Sequence, residues 1–408
     1  GDYKVYAVVE DSQNYVGGQT RSETFHVNLS GGNERNHKHG SDEQTYTAWD
    51  GSGDVPVGAN GTAARYLSAS QSHVTTGLAL SQQKTFYLCL YGKTVYPISA
   101  SYDHIFVTDG AHLILSDCTE AGKVKGSSGD IAHVKNGTLS IYDVTLTGGA
   151  VVVDEGGELN LYSGEISGNT VTSGKGGAIY IKSGGIVNIY GGTIKDNHVY
   201  SGNGGAIYVA AGGTLNLYGG TITENTASTH GGGIYVEKGG TLNIHGAPIV
   251  TNNTAGGKAS NIYLAGGQVL RIDGEMNSGA KLGIGVEAVS YPALFASSAK
   301  NLSAYFTSDD PGAVVIYLNE KLTLCTRPTA ELTGSTLTVT TGSDLSENVK
   351  LLVAEYDANG KMLAAQVQDL QPERTSYTLT VKNPKAVIHC LLLRSDDTAL
   401  LAAFGPLA

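Results

Sequence analysis

Hydrophobic and polar residues alternate in short runs along the middle of the chain, and a pair of glycines precedes each run. Residues 159–162 read Leu-Asn-Leu-Tyr, which is the pattern of a β-strand with one buried face. The glycine pairs begin at Gly156, Gly184, Gly212 and Gly239, so the successive spacings are 28, 28 and 27 residues. The middle of the chain is therefore an internal repeat.

A second motif has the same period. It reads GGAIYI at 176–181, GGAIYV at 204–209, GGGIYV at 231–236 and, in weaker form, SNIYL at 260–264. A third apolar run includes Ile166, Ile194, Ile222 and Ile249. Three short strands and three corners in each repeat predict one rung of a single-stranded parallel β-helix. The general handedness of parallel crossovers predicts a right-handed coil.

Strict alternation predicts which side chains face the core of each rung. The inward set is Leu159, Leu161, Val187, Ile189, Leu215, Leu217, Leu242 and Ile244 on one strand, and Ile179, Ile207, Ile234 and Ile262 on another. Three outward columns follow: Asn160, Asn188, Asn216 and Asn243; Tyr162, Tyr190 and Tyr218, continued by His245; and Tyr180, Tyr208, Tyr235 and Tyr263. A fourth column, Asn169, Asn197, Asn225 and Asn253, falls at a turn and predicts a structural ladder of hydrogen-bonded amides.

The repeat also predicts the domain organisation. Residues 1–50 are polar with two alternating runs, at 3–10 and 24–29, which favours an N-terminal capping segment. Residues 51–327 form the predicted β-helix, with the clearest rungs at 131–275. In residues 328–408 the period stops and glycine becomes rare, while Asn359-Gly360 is a hairpin signal. An immunoglobulin-like or fibronectin-like antiparallel β-sandwich is predicted there. The fold class is all-β.

Composition and charge narrow the function classes. Glycine supplies 56 of the 408 residues, which fits many tight turns and argues against a helical bundle. The net charge of −11 comes without a Lys/Arg stripe, so nucleic acid is not an expected partner. No run approaches the ~18 apolar residues that a membrane span needs. The chain opens at Gly1 without a leader segment, as expected of an exported protein whose signal has been removed.

Several stretches together resemble a known group of proteins. They are TYTAWDGSGDVP, TFYLCLYGKTV, HLILSDCTEAGKVKG, the repeated AIYV and GGTLNLYGGTIT motifs, and AYFTSDDPG, in this order over about 45–326. The sequence resembles the adhesin-like β-helix surface proteins of gut Gram-positive bacteria. That resemblance implies a right-handed parallel β-helix of pectin-lyase-like architecture and an extracellular or cell-surface location. The resemblance does not by itself imply an activity, because most members of the group are of unknown function.

The pectin-lyase-like architecture also carries polysaccharide lyases and hydrolases, so candidate catalytic groups need inspection. Inverting hydrolysis uses two carboxylates about 6.5–9.5 Å apart. Asp196 and Glu224 share a column on adjacent rungs and are the best available pair, although solvated turn residues have the same pattern. Asp103-His104 lacks an evident nucleophile, and the His37-x-His39 spacing favours a polar loop over a metal site. No metal and no cofactor are expected.

The two tyrosine columns are the stronger candidates for ligand contact. Rows of exposed aromatic rings bind sugars, but identical side chains on neighbouring strands also stabilise a sheet by packing. Both interpretations stay open for Tyr162, Tyr190 and Tyr218, and for Tyr180, Tyr208, Tyr235 and Tyr263. Cys89 and Cys118 are 29 residues apart, about one rung, and the pattern favours buried small residues over a redox pair.

The sequence thus predicts an exported, non-enzymatic, adhesin-like surface protein. Its expected partners are carbohydrate or another macromolecule of a host or cell surface, contacted along one face of the β-helix. A polysaccharide lyase or glycoside hydrolase on the same scaffold is one alternative. A purely structural stalk is the other. The oligomeric state is left open.

Overall fold

A computed structural model describes residues 3–5, 23–25, 34–39, 42–49, 57, 61–67, 78–96, 105–126, 130–287, 290–342, 349–371, 374–394 and 400–407. Within these ranges the chain is all-β, and its helical content is one 3₁₀ turn, Ser303–Tyr305. The predicted fold class is confirmed: a parallel β-helix of about eight turns is followed by small antiparallel sheets. Two compact units divide the chain, Gly1–Gly285 and Val286–Ala408.

The first unit is built on three ladders of strands, each adding one strand per rung. In sheet A, the first ladder, nine strands run parallel in succession: Thr62–Leu67, Thr85–Cys89, His112–Ser116, Thr138–Tyr142, Glu158–Leu161, Ile186–Ile189, Thr214–Leu217, Thr241–Gly246 and Arg271–Met276. The clear repeats are in direct register, with Leu159 beside Val187 and Val187 beside Leu215. Identical positions therefore stack in columns.

The other two ladders close each rung. Sheet B contains Thr94–Val95, Lys123–Lys125, Thr145–Thr147, Glu165–Ser167, Thr193–Lys195, Thr221–Thr223, Ile249–Val250 and Lys281–Val286. Sheet C contains Leu78–Leu80, Ile105–Thr108, Ala132–Lys135, Val151–Val153, Ile179–Ile181, Ile207–Val209, Ile234–Val236 and Ile262–Leu264. A rung runs from sheet A through sheet B to sheet C.

The inward side chains form the core that alternation predicts. Those predicted to face inward on sheets A and C are each at most 1% exposed. On sheet B, Ile166, Ile194 and Ile222 are buried as predicted, but Val250 rather than Ile249 continues that column. In the register of sheet B, Thr221 pairs with Ile249 and Ile222 pairs with Val250. The choice of Ile249 from the sequence is therefore one residue too early.

Glycine pairs form the corner between sheets C and A because the chain turns against the preceding rung. Gly156 has a φ of 70°, which disfavours residues with a Cβ atom. A Cβ on Gly157 would lie 2.1 Å from the carbonyl oxygen of Val134 in the previous rung. The first glycine is therefore needed for the backbone conformation of the corner, and the second for the close approach of two successive rungs.

The 28-residue rungs contain a fourth side that the sequence pattern did not predict. Between sheets B and C the chain makes an excursion, here called the arm, with short strands of its own: Thr170–Val171, Gly174–Lys175, His198–Val199, Gly202–Asn203, Thr226–Ala227, Thr254–Ala255 and Lys258–Ala259. The rung from Thr138 to Gly157 holds 20 residues and has no arm strand. The arms therefore begin at the rung that starts with Glu158.

The N-terminal segment extends sheet A. Glu34–His39 forms an antiparallel hairpin with Asp42–Trp49 at the edge of this sheet. Tyr3–Val5 pairs with Glu23–Phe25 in a separate two-stranded sheet. The second hairpin strand lies parallel to Thr62–Leu67, and its Tyr46 is buried in a cluster with Tyr66 and Cys89. The predicted polar loop around His37 and His39 is thus a strand, because its backbone pairs with the following run.

The second unit contains several small antiparallel sheets. One comprises Ala293–Ser297, Ala313–Leu318 and Lys321–Thr326, and the short strand Phe306–Ser308 also belongs to this unit. Two further sheets comprise Thr329–Thr333, Thr336–Thr340 and Ser376–Thr380, and Val349–Tyr356, Met362–Asp369, Val387–Arg394 and Leu400–Leu407. One apolar core joins these last two sheets and also takes in Ile316 and Cys325. The compact unit begins at Val286, whereas the sequence pattern predicts a boundary at 327/328.

Candidate functional site

The outward column of sheet C is mostly aromatic. Register places these residues side by side on successive rungs: Phe106, His133, Val152, Tyr180, Tyr208, Tyr235 and Tyr263. Tyr180, Tyr235 and Tyr263 are partly exposed, whereas Tyr208 is only 3% exposed. The expectation of an outer ladder therefore holds for the position of Tyr208 but not for its accessibility.

The rings of this column are irregularly arranged. Tyr180 meets Tyr208 edge-on, with an interplanar angle of 86°. Tyr208 and Tyr235 lie 4.9 Å apart at 28°, and Tyr235 and Tyr263 lie 5.8 Å apart at 9°. Tyr235 lies between the rings of Tyr208 and Tyr263, and the ring of Tyr263 also contacts His230 at 4.2 Å.

An ion pair lies over Tyr208. Lys175, on the first arm, holds its ammonium group 4.5 Å from the centre of the Tyr208 ring and 3.8 Å from the Glu237 carboxylate. Burial raises the pKa of the Tyr208 hydroxyl, and the nearby Glu237 carboxylate, to which it is hydrogen-bonded, raises it further. The Tyr208 hydroxyl is therefore protonated and donates to Glu237. Lys175 of the arm therefore covers part of the outward face of sheet C, at Tyr208.

The N-terminal end of the same column is charged. His133 lies between two carboxylates, with Nε2 3.0 Å from Asp130 and Nδ1 3.3 Å from Asp154. Lys182 closes this network with its Nζ 2.7 Å from Asp154 and 5.8 Å from the centre of the Tyr180 ring. Phe106 stacks on His133 at 5.5 Å. Sequence reasoning missed this cluster, although aligning strand 132–135 with 151–153 and 179–181 would have brought its members together.

The outward tyrosines of sheet A form a regular stack. Tyr142, Tyr162, Tyr190 and Tyr218 lie 4.6, 4.7 and 4.8 Å apart with interplanar angles of 4°, 7° and 7°. His245 ends the stack, tilted at 61° to Tyr218. Tyr142 belongs to the stack although the sequence pattern began it at Tyr162. Since each inner ring is covered on both faces by its neighbours, this column presents ring edges.

The turn asparagines form a continuous amide chain in the interior. Asn169, Asn197, Asn225 and Asn253 are at most 1% exposed, and each Nδ2 donates to the Oδ1 of the next residue over 2.8–3.1 Å, ending at Asn261. Each Oδ1 also accepts a backbone N–H from the preceding rung, as Asn225 does from Asn197 at 3.0 Å. The Nδ2 of Asn225 additionally donates to the carbonyls of Thr223 and Ile194. These bonds anchor the start of every arm.

A second amide chain crosses sheet A. Asn188 donates to Asn160 at 2.8 Å, Asn216 to Asn188 at 2.7 Å, and Asn243 to Asn216 at 2.7 Å. Asn160 and Asn188 are each only 7% exposed, because the stacked amides cover one another on an outward face. Outward here does not mean solvated.

The carboxylate pair of the enzyme alternative lies at the outer corner beside the buried amides. Asp196 and Glu224 are exposed and adopt left-handed φ values of 55° and 58°, immediately before Asn197 and Asn225. Gly168 and Asn252 hold the same corner in the flanking rungs, with φ of 66° and 60°. The pKa of Lys195 is raised mainly by its hydrogen bond to Glu165 and to a lesser extent by the two corner acids. Their arrangement is that of a turn.

Other candidates can be located only in part. Asp103-His104 lies outside the described residues, and of His37 and His39 only the backbone is described. Across the described ranges no three His, Cys, Asp or Glu side chains converge as a metal-ligand set. In the same ranges, no helix is long and apolar enough to cross a membrane.

Comparison with known proteins gives a match at the level of the repeat. Residues 163–182 and 219–237 match the model of the Chlamydia polymorphic membrane protein repeat. Both segments cover the same part of a rung: the sheet B strand, the buried asparagine, the arm and the tyrosine strand of sheet C. No curated protein and no solved structure matched the chain significantly. The repeat match and the parallel solenoid together fit a β-helix surface protein; the gut Gram-positive origin and the pectin-lyase-like relationship stay predictions.

Proposed function

We propose that this protein is a surface-exposed adhesin whose contact face is the outward side of sheet C, from Phe106 to Tyr263. The ligand class is carbohydrate, carried on a host or cell surface. The observation that supports this most directly is the row of partly exposed tyrosines, with charged side chains held along its edge. The match to a membrane-protein repeat supports the surface location.

The composition of the face suits a sugar. Aromatic rings pack against the C–H faces of pyranose rings, and a few fixed polar groups at the rim orient the hydroxyls. Tyr180, Tyr235 and Tyr263 supply the rings. Lys182 and Asp154, already joined over 2.7 Å, supply a donor and an acceptor beside Tyr180 without a large ordering cost on binding.

The regular stack on sheet A is the less suitable column. Its inner rings already use both faces on one another at 4.6–4.8 Å, so a sugar would meet ring edges alone. Favourable stacking needs an open face, and Tyr180 of sheet C meets its tyrosine neighbour edge-on at 86° rather than face to face. We therefore assign the sheet A stack to stability and the sheet C column to ligand contact.

A glycan array probed with the full chain tests the proposal. Tyr180→Ala combined with Tyr235→Ala should lower binding to the retained glycans by about tenfold or more, about 1.4 kcal/mol. The matched control is Tyr162→Ala combined with Tyr190→Ala, which removes two tyrosines from the other column and should leave glycan binding within about twofold. Circular dichroism checks that both variants keep the β-helix.

Other outcomes would contradict the proposal. Equal loss in both double variants would assign both columns to stability. A chain that retains no glycan would favour the stalk, with binding carried by other parts of the surface. Release of shortened products from a retained polysaccharide would favour the enzyme alternative, and loss of that release in Asp196→Asn or Glu224→Gln would identify its carboxylates.

A further inference from the structure

Two cysteines on adjacent rungs of the β-helix lie in direct contact. Cys89 ends the sheet A strand Thr85–Cys89, and Cys118 follows the next strand, His112–Ser116. The thiol of Cys89 points to the sulfur of Cys118, with the two Sγ atoms 3.6 Å apart. A disulfide needs about 2.05 Å, so the pair is about 1.5 Å of side-chain travel from a bond.

A rigid turn fixes Cys118 in this position. The neighbouring Asp117 is 1% exposed, and its carboxylate accepts the backbone N–H groups of Thr119 and Ala121 at 3.0 Å each. The same carboxylate accepts the backbone N–H of Gly92 at 2.6 Å, which lies in the preceding rung just after Cys89. Because one side chain anchors both segments, the two sulfurs stay close without any movement of the rungs.

The two thiols differ in solvent exposure, and this difference sets the order in which they react. Cys89 is fully buried beside Tyr46 and Tyr66, and burial raises the pKa of its thiol. Cys118 is partly exposed at the surface of the turn. An external reagent therefore reaches Cys118 first and Cys89 only through Cys118.

We propose that Cys89 and Cys118 form a disulfide that joins two rungs near the N-terminal end of the β-helix when the protein meets a small-molecule or enzyme disulfide. The Cys118 thiolate attacks one sulfur of the external disulfide, forms a mixed disulfide and releases one thiol. The Cys89 thiol then loses its proton and its sulfur attacks Cys118, which releases the second thiol. The two cysteines are oxidised, and the external disulfide is reduced to two thiols.

Oxidised glutathione is the probe. The full chain is purified reduced, incubated with oxidised glutathione, quenched in acid, unfolded and alkylated, and the alkylated peptides are mapped by mass spectrometry. Of the four cysteines, Cys325 and Cys390 should be recovered in alkylated form, while the peptides of Cys89 and Cys118 should be linked by a disulfide. Cys325 and Cys390 are buried in the core of the second unit and serve as internal controls.

Two single variants test the order of the steps. Cys89→Ser should stop the reaction at the first step and leave glutathione on Cys118. Cys118→Ser should leave Cys89 unmodified, because its buried thiol has lost its route to the reagent. Cys325→Ser should still form the bond.

Three results would overturn the proposal. The first is four alkylated cysteines after oxidation. The second is glutathione that persists on Cys118 of the unaltered chain, and the third is a disulfide that includes Cys325 or Cys390. A test in the folded protein accompanies the mapping: the oxidised chain should unfold at a higher temperature than the reduced chain, and Cys118→Ser should abolish the difference.

Discussion

The two tyrosine columns use the same residue on the same repeat but differ in order. On sheet A the rings from Tyr142 to Tyr218 are parallel within 7° and evenly spaced. On sheet C the angle between neighbours ranges from 86° to 9°, and Tyr208 is buried beneath Lys175. The difference coincides with contacts to Tyr208 from Lys175 of the arm, which lies over its ring, and from Glu237, which is hydrogen-bonded to its hydroxyl. Regular stacking is what the repeat gives by itself, whereas the irregular column is shaped by a neighbouring segment.

The largest expected effect comes from Tyr208→Ala. The ring is 3% exposed, so its removal leaves a cavity and should lower the free energy of unfolding by about 3–4 kcal/mol. Chemical denaturation followed by circular dichroism measures it. Tyr208→Phe keeps the ring and loses its bond to Glu237, so it should cost about 1 kcal/mol. A cost for Tyr208→Ala no greater than that for Tyr190→Ala would erase the distinction between the columns.

Tyr190→Ala should have an intermediate effect. The ring contacts Tyr162 and Tyr218 at 4.7 and 4.8 Å, and two stacking contacts of about 0.5–1.5 kcal/mol each suggest a loss of about 2 kcal/mol. Tyr142→Ala is the control, because the Tyr142 ring stacks on one tyrosine, Tyr162, and the equivalent position in the preceding rung is Ser116. It should cost about half as much. Equal costs would show that stacking along the column contributes little.

The smallest effect concerns a carboxyl group beside the regular stack. Burial raises the pKa of Asp143, next to Tyr142, to about 6. A carboxyl with a raised pKa binds its proton more tightly in the folded state, so stability is highest below the unfolded value of about 4 and falls as the pH rises through 6. Asp143→Asn should remove this dependence and stabilise the chain by about 1 kcal/mol at pH 7, since the group is partly solvated. Asparagine also tolerates the φ of 57°.

The measurement for Asp143→Asn is chemical unfolding at pH 4.5 and 7.5, compared with the unaltered chain. The difference between the two proteins should grow as the pH rises. A constant difference across that range would mean that Asp143 does not titrate with folding.

The period of the sequence was enough to predict the solenoid, because a column of identical residues requires identical backbone positions. Leu159, Ile179 and their equivalents follow directly from alternation, as does the turn position of Asn197. The burial of Tyr208 does not follow, because it depends on Lys175 and Glu237, which are 62 residues apart in sequence and meet only through the path of the arm. The His133 network was missed for a related reason: Ala132 pairs with Val151, 19 residues later, so the 28-residue period does not mark the register of this strand.

The two amide chains run in opposite directions. At the turn, each asparagine donates toward the C-terminal rung, from Asn169 to Asn197, whereas on sheet A each donates toward the N-terminal rung, from Asn188 to Asn160. Every rung therefore presents the same set of amide donors and acceptors to the rung before it and to the rung after it. Deletion of residues 186–213 would bring Asn169 against Asn225 and Tyr162 against Tyr218, with every amide still matched. The length of the β-helix can thus change in steps of about 4.8 Å, one rung at a time, with both amide chains kept intact.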